Sequence, residues 1–143
     1  MKPKLLLRIA SGAMFFHLLG HTMGQLNSRK TTDPVKQEVI NQMTNHKFMF
    51  MGTMRSMIDY SDGFSYATSI ALLLMAIILW LVSNDLLSSK TSLGFKILVT
   101  LSISLFIWSV DEFIFFFPFA AGTTLFAAIL TLVATLQIKQ GHL

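Results

Sequence analysis

Residues 65–82 read SYATSIALLLMAIILWLV, a run without a single charge. With Phe64 in front of it, this run forms a helix about 28 Å long, close to the hydrocarbon thickness of a bilayer. A helix that is apolar on every side has no exposed face to show to water. Phe64 to Val82 is therefore read as a membrane span, and the rest of the chain is organised around it.

Three further stretches have the same character. Leu93 to Phe117 is long and apolar and is broken late by Asp111 and Glu112. Pro118 is expected to close it, because proline cannot donate into a continuing helix. Phe119 to Ile138 follows at once, which predicts a tight antiparallel helical hairpin. Near the amino terminus, Leu5 to Gly24 gives another span. Lys2 and Lys4 ahead of it imitate a secretory signal, but Arg8 interrupts the apolar run and no small-x-small cleavage site follows. It is read as a retained span. The expected fold is thus all-α: an integral membrane four-helix bundle in a single domain, residues 1–143.

Composition agrees. Hydrophobic residues make up 53% of the 143 and charged residues 13%, the latter about half the share in soluble domains. Lipid can be the solvent for that apolar surface. No cysteine is present, which excludes disulfides, thiolate metal centres and cysteine nucleophiles. The net charge of +4 comes from scattered Lys and Arg without a basic helix face, so nucleic acid is not an expected partner.

The one long polar segment is 25–63. Asp33 before Pro34 is a helix start, an N-cap followed by proline in the first turn. Val35, Val39, Ile40 and Met43 then recur at helical spacing, predicting a short amphipathic helix to about His46 that lies on the membrane surface or over the bundle. Phe48 to Ile58 is a second apolar stretch, too short to span. Its methionines, near His46, could form a soft Cu(I) site, but their flexible side chains are better suited to filling irregular apolar gaps. Phe113, Phe115, Phe116, Phe117 and Phe119 read as an interfacial aromatic collar, with a lipophilic pocket wall as the alternative.

Orientation rests on Lys and Arg. Six lie on the side of the termini (Lys2, Lys4, Arg8, Lys90, Lys96, Lys139) and five opposite (Arg29, Lys30, Lys36, Lys47, Arg55). Lys90 lies in the second loop while the third has no charge, which favours both termini in the cytoplasm of a plasma-membrane protein.

Depth and helix faces locate the chemistry. Small residues mark helix contacts in membranes, and Ala10, Ala13, His17, Gly20, His21 and Gly24 share one face of the first span. Ser104, Trp108, Asp111 and Glu112 share a face of the third. Thr124, Ala127, Ala128, Thr131 and Thr135 form a packing stripe on the fourth. His17 and His21 lie about 18 and 24 Å along the first span, and Asp111 about 27 Å along the parallel third. The second span enters from that same side after Asp59 and Asp62. The expected ligand-binding group is therefore His17, His21, Asp59, Asp62, Trp108, Asp111 and Glu112, in one pocket near the non-cytoplasmic face. Arg8 sits towards the opposite surface and is expected to snorkel to headgroups. Arg55 and Asp59 are expected to form a local i, i+4 ion pair.

His17-x-x-x-His21 puts two rings on one helical face, a spacing that suits a divalent metal. Carboxylates would complete a nitrogen and oxygen ligand set for zinc, iron or manganese. The Glu that follows the first His in zinc proteases is missing, as are the Glu-x-x-His pairs of di-iron bundles. A polar network that only holds helices together is the competing reading of the same residues.

Arg8, His17-Leu-Leu-Gly-His21-Thr, Asn45-His46-Lys-Phe, Met51-Gly and Asp59-Tyr60 together resemble a group of bacterial four-helix membrane proteins that have no assigned activity. These are in turn faintly similar to DoxX-type small membrane proteins, some linked to quinol-oxidase complexes. The resemblance covers the first two spans and their connection and carries over no catalytic residues. Three functions follow as expectations: a pocket holding a cation or small lipophilic ligand, an accessory subunit of a larger membrane complex such as a respiratory one, or a small enzyme using a His–carboxylate pair as acid and base. Four short helices leave no room for a water-filled channel.

Overall fold

The computed structural model describes residues 2–85 and 92–139. Five helices and one hairpin follow in order: α1 (Pro3–Asn27), α2 (Pro34–Asn45), β1 (Lys47–Phe50), β2 (Thr53–Ser56), α3 (Met57–Asp85), α4 (Ser92–Phe115) and α5 (Pro118–Lys139). The fold is all-α apart from that hairpin. Among the described residues three helices are long and apolar enough to cross a membrane: α3, Leu93–Phe115 of α4, and α5. The 25 residues of α1 are long enough, but Arg8, His17 and His21 make it less apolar than these. Lys90, on which the orientation argument leans, lies outside the described residues.

Several expected boundaries move. α3 begins at Met57 rather than Phe64 because Ser56 and Asp59 cap it. The Ser56 amide donates to Asp59 Oδ2 at 2.8 Å, and the Asp59 amide donates to Ser56 Oγ at 3.3 Å. This is the reciprocal capping box. Pro118 opens α5 rather than closing α4, which ends at Phe115. Proline is tolerated in a first turn, and it biases Phe117 before it away from helical geometry. α4 and α5 then pack closely against each other.

The chain divides into two compact units, Met1–Leu18 with Leu72–Leu143, and Leu19–Ala71; α1 and α3 contribute to both. In the first unit one buried apolar cluster draws on Leu7, Ala10 and Met14 of α1, Leu72, Ala76 and Leu79 of α3, Leu98 and Leu105 of α4, and Ala127, Ala128 and Ala134 of α5. The stripe Thr124, Ala127, Ala128, Thr131 and Thr135 is buried throughout. Its hydroxyls need no water, since Thr131 donates to Ala127 O and Thr135 to Thr131 O, both at 2.7 Å. Ser11 ties α1 to α3 by donating to Ala76 O at 2.7 Å. Leu74, Ile77, Ile103, Ile107 and Phe126 face outwards. The interior of this unit thus mixes leucines with the small residues of α5, and small residues let helices approach closely.

In the second unit α2 forms as its sequence predicts. Asp33 accepts from the amides of Val35 and Lys36. None of its residues is buried, and Val35 and Val39 are exposed. The apolar stretch from Phe48 is a β-hairpin, which the sequence reading missed. Lys47 pairs with Ser56 and Phe50 with Thr53, leaving Met51-Gly52 as a two-residue turn. Both turn residues have positive φ, 47° and 80°, the geometry of a type I′ turn that matches strand twist. Gly52 adopts it without steric cost, while Met51 does so against its preference.

Candidate functional site

A hydroxyl, an imidazole and a carboxylate from three helices meet inside the first unit. His17 of α1 lies between Thr124 of α5, with Nδ1 to Oγ1 at 3.0 Å, and Glu112 of α4, with Nε2 to Oε1 at 3.4 Å. Thr124 is 0% exposed, Glu112 4% and His17 9%. With the ring protonated at Nε2, that N–H faces Glu112 Oε1 across the 3.4 Å contact. Nδ1 then accepts from the Thr124 hydroxyl if the ring is neutral, or donates to it if the ring is an imidazolium. Glu112 Oε2 is buried with no hydrogen-bond partner.

Helix geometry explains the selection. Asp111 and Glu112 are adjacent, so about 100° of rotation separates their side chains. Glu112 enters the interior and Asp111 is exposed. Trp108, one turn before Glu112, is half-buried against the apolar cluster.

Three of the other candidates, His21, Asp62 and Asp59, have partners within the second unit. In the second unit the half-buried His21 donates through Nε2 to the Ser65 carbonyl at 3.1 Å. Asp62 pairs with Arg29, a partly solvated contact of little energetic weight. Asp59 serves as the cap of α3, and the Arg55–Asp59 ion pair does not form: Arg55 lies on β2, where helical i, i+4 geometry does not apply. Nothing lies within 4 Å of a Cβ placed at Gly20 or Gly24, so these two glycines do not mark a close contact. Arg8 reaches along the first unit towards the exposed end of α3. Its guanidinium lies 4.8 Å from the Trp80 ring centre and donates to Asn84 Oδ1 at 3.0 Å.

Among the described residues the metal expected at His17 and His21 finds no ligand set: no group of three or more His, Asp or Glu side chains is placed to hold an ion, and both nitrogens of His17 face partners already. Thr124 is the site residue that sequence reasoning missed. It stood in the packing stripe, and nothing in its spacing sets it apart from Thr131 or Thr135.

No family model, curated protein or solved structure matches this chain.

Proposed function

We propose that this chain is a small four-span protein of the plasma membrane whose working centre is the Thr124–His17–Glu112 cluster, and that the cation it handles is a proton. The observation behind this reading is the buried His17–Glu112 contact with Glu112 Oε2 left without a partner. An ionisable pair inside apolar helices is costly to keep, which makes it a functional candidate. Two donors are too few for a metal but sufficient to share a proton. The pair is electrically neutral either as imidazolium with carboxylate or as imidazole with carboxylic acid. Gain or loss of one proton leaves a buried net charge, which burial penalises strongly. Proton occupancy would thereby be coupled to how α1 packs on α4 and α5.

The absence of cysteine makes the test direct. Thiols introduced singly on exposed positions of α1 and α5 can be spin-labelled and their separation followed between pH 4 and 10 in nanodiscs. A pH-dependent change in separation that Glu112→Gln abolishes is the expected result. A separation that stays constant in the wild type, with His17 imidazole resonances equally unmoved, refutes the proposal.

A second reading, the accessory subunit, is favoured by a different feature. An open groove of about 740 Å³ runs between α1 and α5 with Gly12, Ala13 and Gly122 along it and Phe16 against Phe119 at 6.2 Å. Glycines there would let a partner helix approach closely. Gly122→Leu should block co-purification of such a subunit from mild detergent, while leaving the titration of His17 intact.

A further inference from the structure

We propose that the cradle between the β-hairpin and the first turns of α3 binds the headgroup of a zwitterionic phospholipid. The inference rests on α3 entering the membrane and is independent of the His17–Glu112 pair.

The hairpin register makes one face of the cradle. Phe48 pairs with Arg55 and Phe50 with Thr53, and residues two apart on a strand share a face, so these four side chains project to one side. Tyr60 of α3 packs there, parallel to Phe48 at 5.9 Å and edge-on to Phe50 at 5.7 Å. Beside them opens a cavity of about 500 Å³ whose polar groups come from Thr53, Arg55, Asp59 and Tyr60.

The charges in this cavity are separated and incompletely used. The Arg55 guanidinium bonds only its neighbouring Met54 carbonyl, at 3.3 Å, and belongs to none of the ion pairs among the described residues. Its planar fork suits a phosphate. One oxygen of the Asp59 carboxylate caps α3, and Tyr60 and Phe50 offer aromatic faces. A carboxylate with aromatic rings is a setting for an ammonium group. One ligand that carries a phosphate and an ammonium on a single headgroup satisfies both halves. A purely anionic headgroup would meet the repulsion of Asp59.

The apolar end of the cavity points to a lipid rather than a soluble amine phosphate. Gly63, Phe64 and Ala67 line it, and they lead directly into the uncharged run of α3. Phe64 and Met51 are 72% and 90% exposed, as side chains at the level of headgroups and upper acyl chains would be.

Native mass spectrometry of the full chain, titrated in detergent with phosphatidylethanolamine, phosphatidylcholine, phosphatidylglycerol or soluble phosphoethanolamine, tests this. The zwitterionic lipids should bind at least five-fold more tightly than phosphatidylglycerol. Arg55→Ala should weaken them about ten-fold, and Asp59→Asn should erase the preference over phosphatidylglycerol. Glu112→Gln should change none of these values, which separates this site from the proton-handling centre. Circular dichroism confirms that each variant keeps its helices, and Arg55→Lys, which keeps the charge, should recover part of the affinity. Preference for phosphatidylglycerol in the wild type, unchanged binding by Arg55→Ala, or equal affinity for soluble phosphoethanolamine would each overturn the proposal.

Discussion

Removing the His17 ring should cost more than removing both halves of its contact with Glu112. At 3.4 Å, two unit charges attract by about 5 kcal/mol at an effective dielectric of about 20, and by about 1 kcal/mol in water. Desolvation consumes much of the larger figure. A hydrogen bond to a charged group contributes about 1.5–3 kcal/mol net, whereas neutral interhelical bonds in a membrane average about 0.6 kcal/mol. His17→Ala leaves Glu112 buried at 4% exposure without its partner, so a loss of about 3 kcal/mol is expected. Glu112→Gln keeps the shape and an acceptor, and should cost about 1 kcal/mol. The double variant should cost about 2 kcal/mol, less than His17→Ala alone, giving a coupling of about 2 kcal/mol. Reversible unfolding in mixed micelles with rising dodecyl sulfate, followed by far-ultraviolet circular dichroism, measures all four corners of the cycle. A coupling below about 0.5 kcal/mol would refute the reasoning, since the contact would then matter no more than two unrelated substitutions.

Three other outcomes follow from local geometry. Asp33→Ala should destabilise α2 by about 1 kcal/mol, because the amides of Val35 and Lys36 lose their acceptor; faster amide exchange confined to the first turn of α2 is the readout. Met51→Asn should stabilise the hairpin by roughly 0.5–1 kcal/mol, since asparagine tolerates the positive φ that methionine resists, and slower exchange of the cross-strand amides would show it. Ser56→Ala should cost about 1 kcal/mol and fray the start of α3, where Ser56 and Asp59 cap each other; chemical shifts of residues 57–60 that stay helical would contradict the capping role.

Local rules carried much of the reading. Hydropathy over Phe64–Val82, Leu93–Phe117 and Phe119–Ile138 depends only on side-chain type and helix rise, so three long apolar helices were legible before any contact was known. Asp33-Pro34 was equally local, a side chain reaching amides two and three residues on. The stripe on α5 was legible because close approach of helices requires small residues wherever it occurs. The hairpin was not, since pairing Lys47 with Ser56 needs a turn at Met51-Gly52 whose first residue argues against it. The same holds for Asp59, whose partner was an amide that any residue carries. At the candidate site the sequence by itself put His17 on the face of small residues in α1 and placed two carboxylates near the end of α4. Only tertiary structure decided that Glu112 turns inwards while Asp111 turns out, and that Thr124 rather than Thr131 meets the ring. Those choices depend on the rotation and axial offset of α1, α4 and α5 about their axes, which packing sets and which no spacing within one helix encodes.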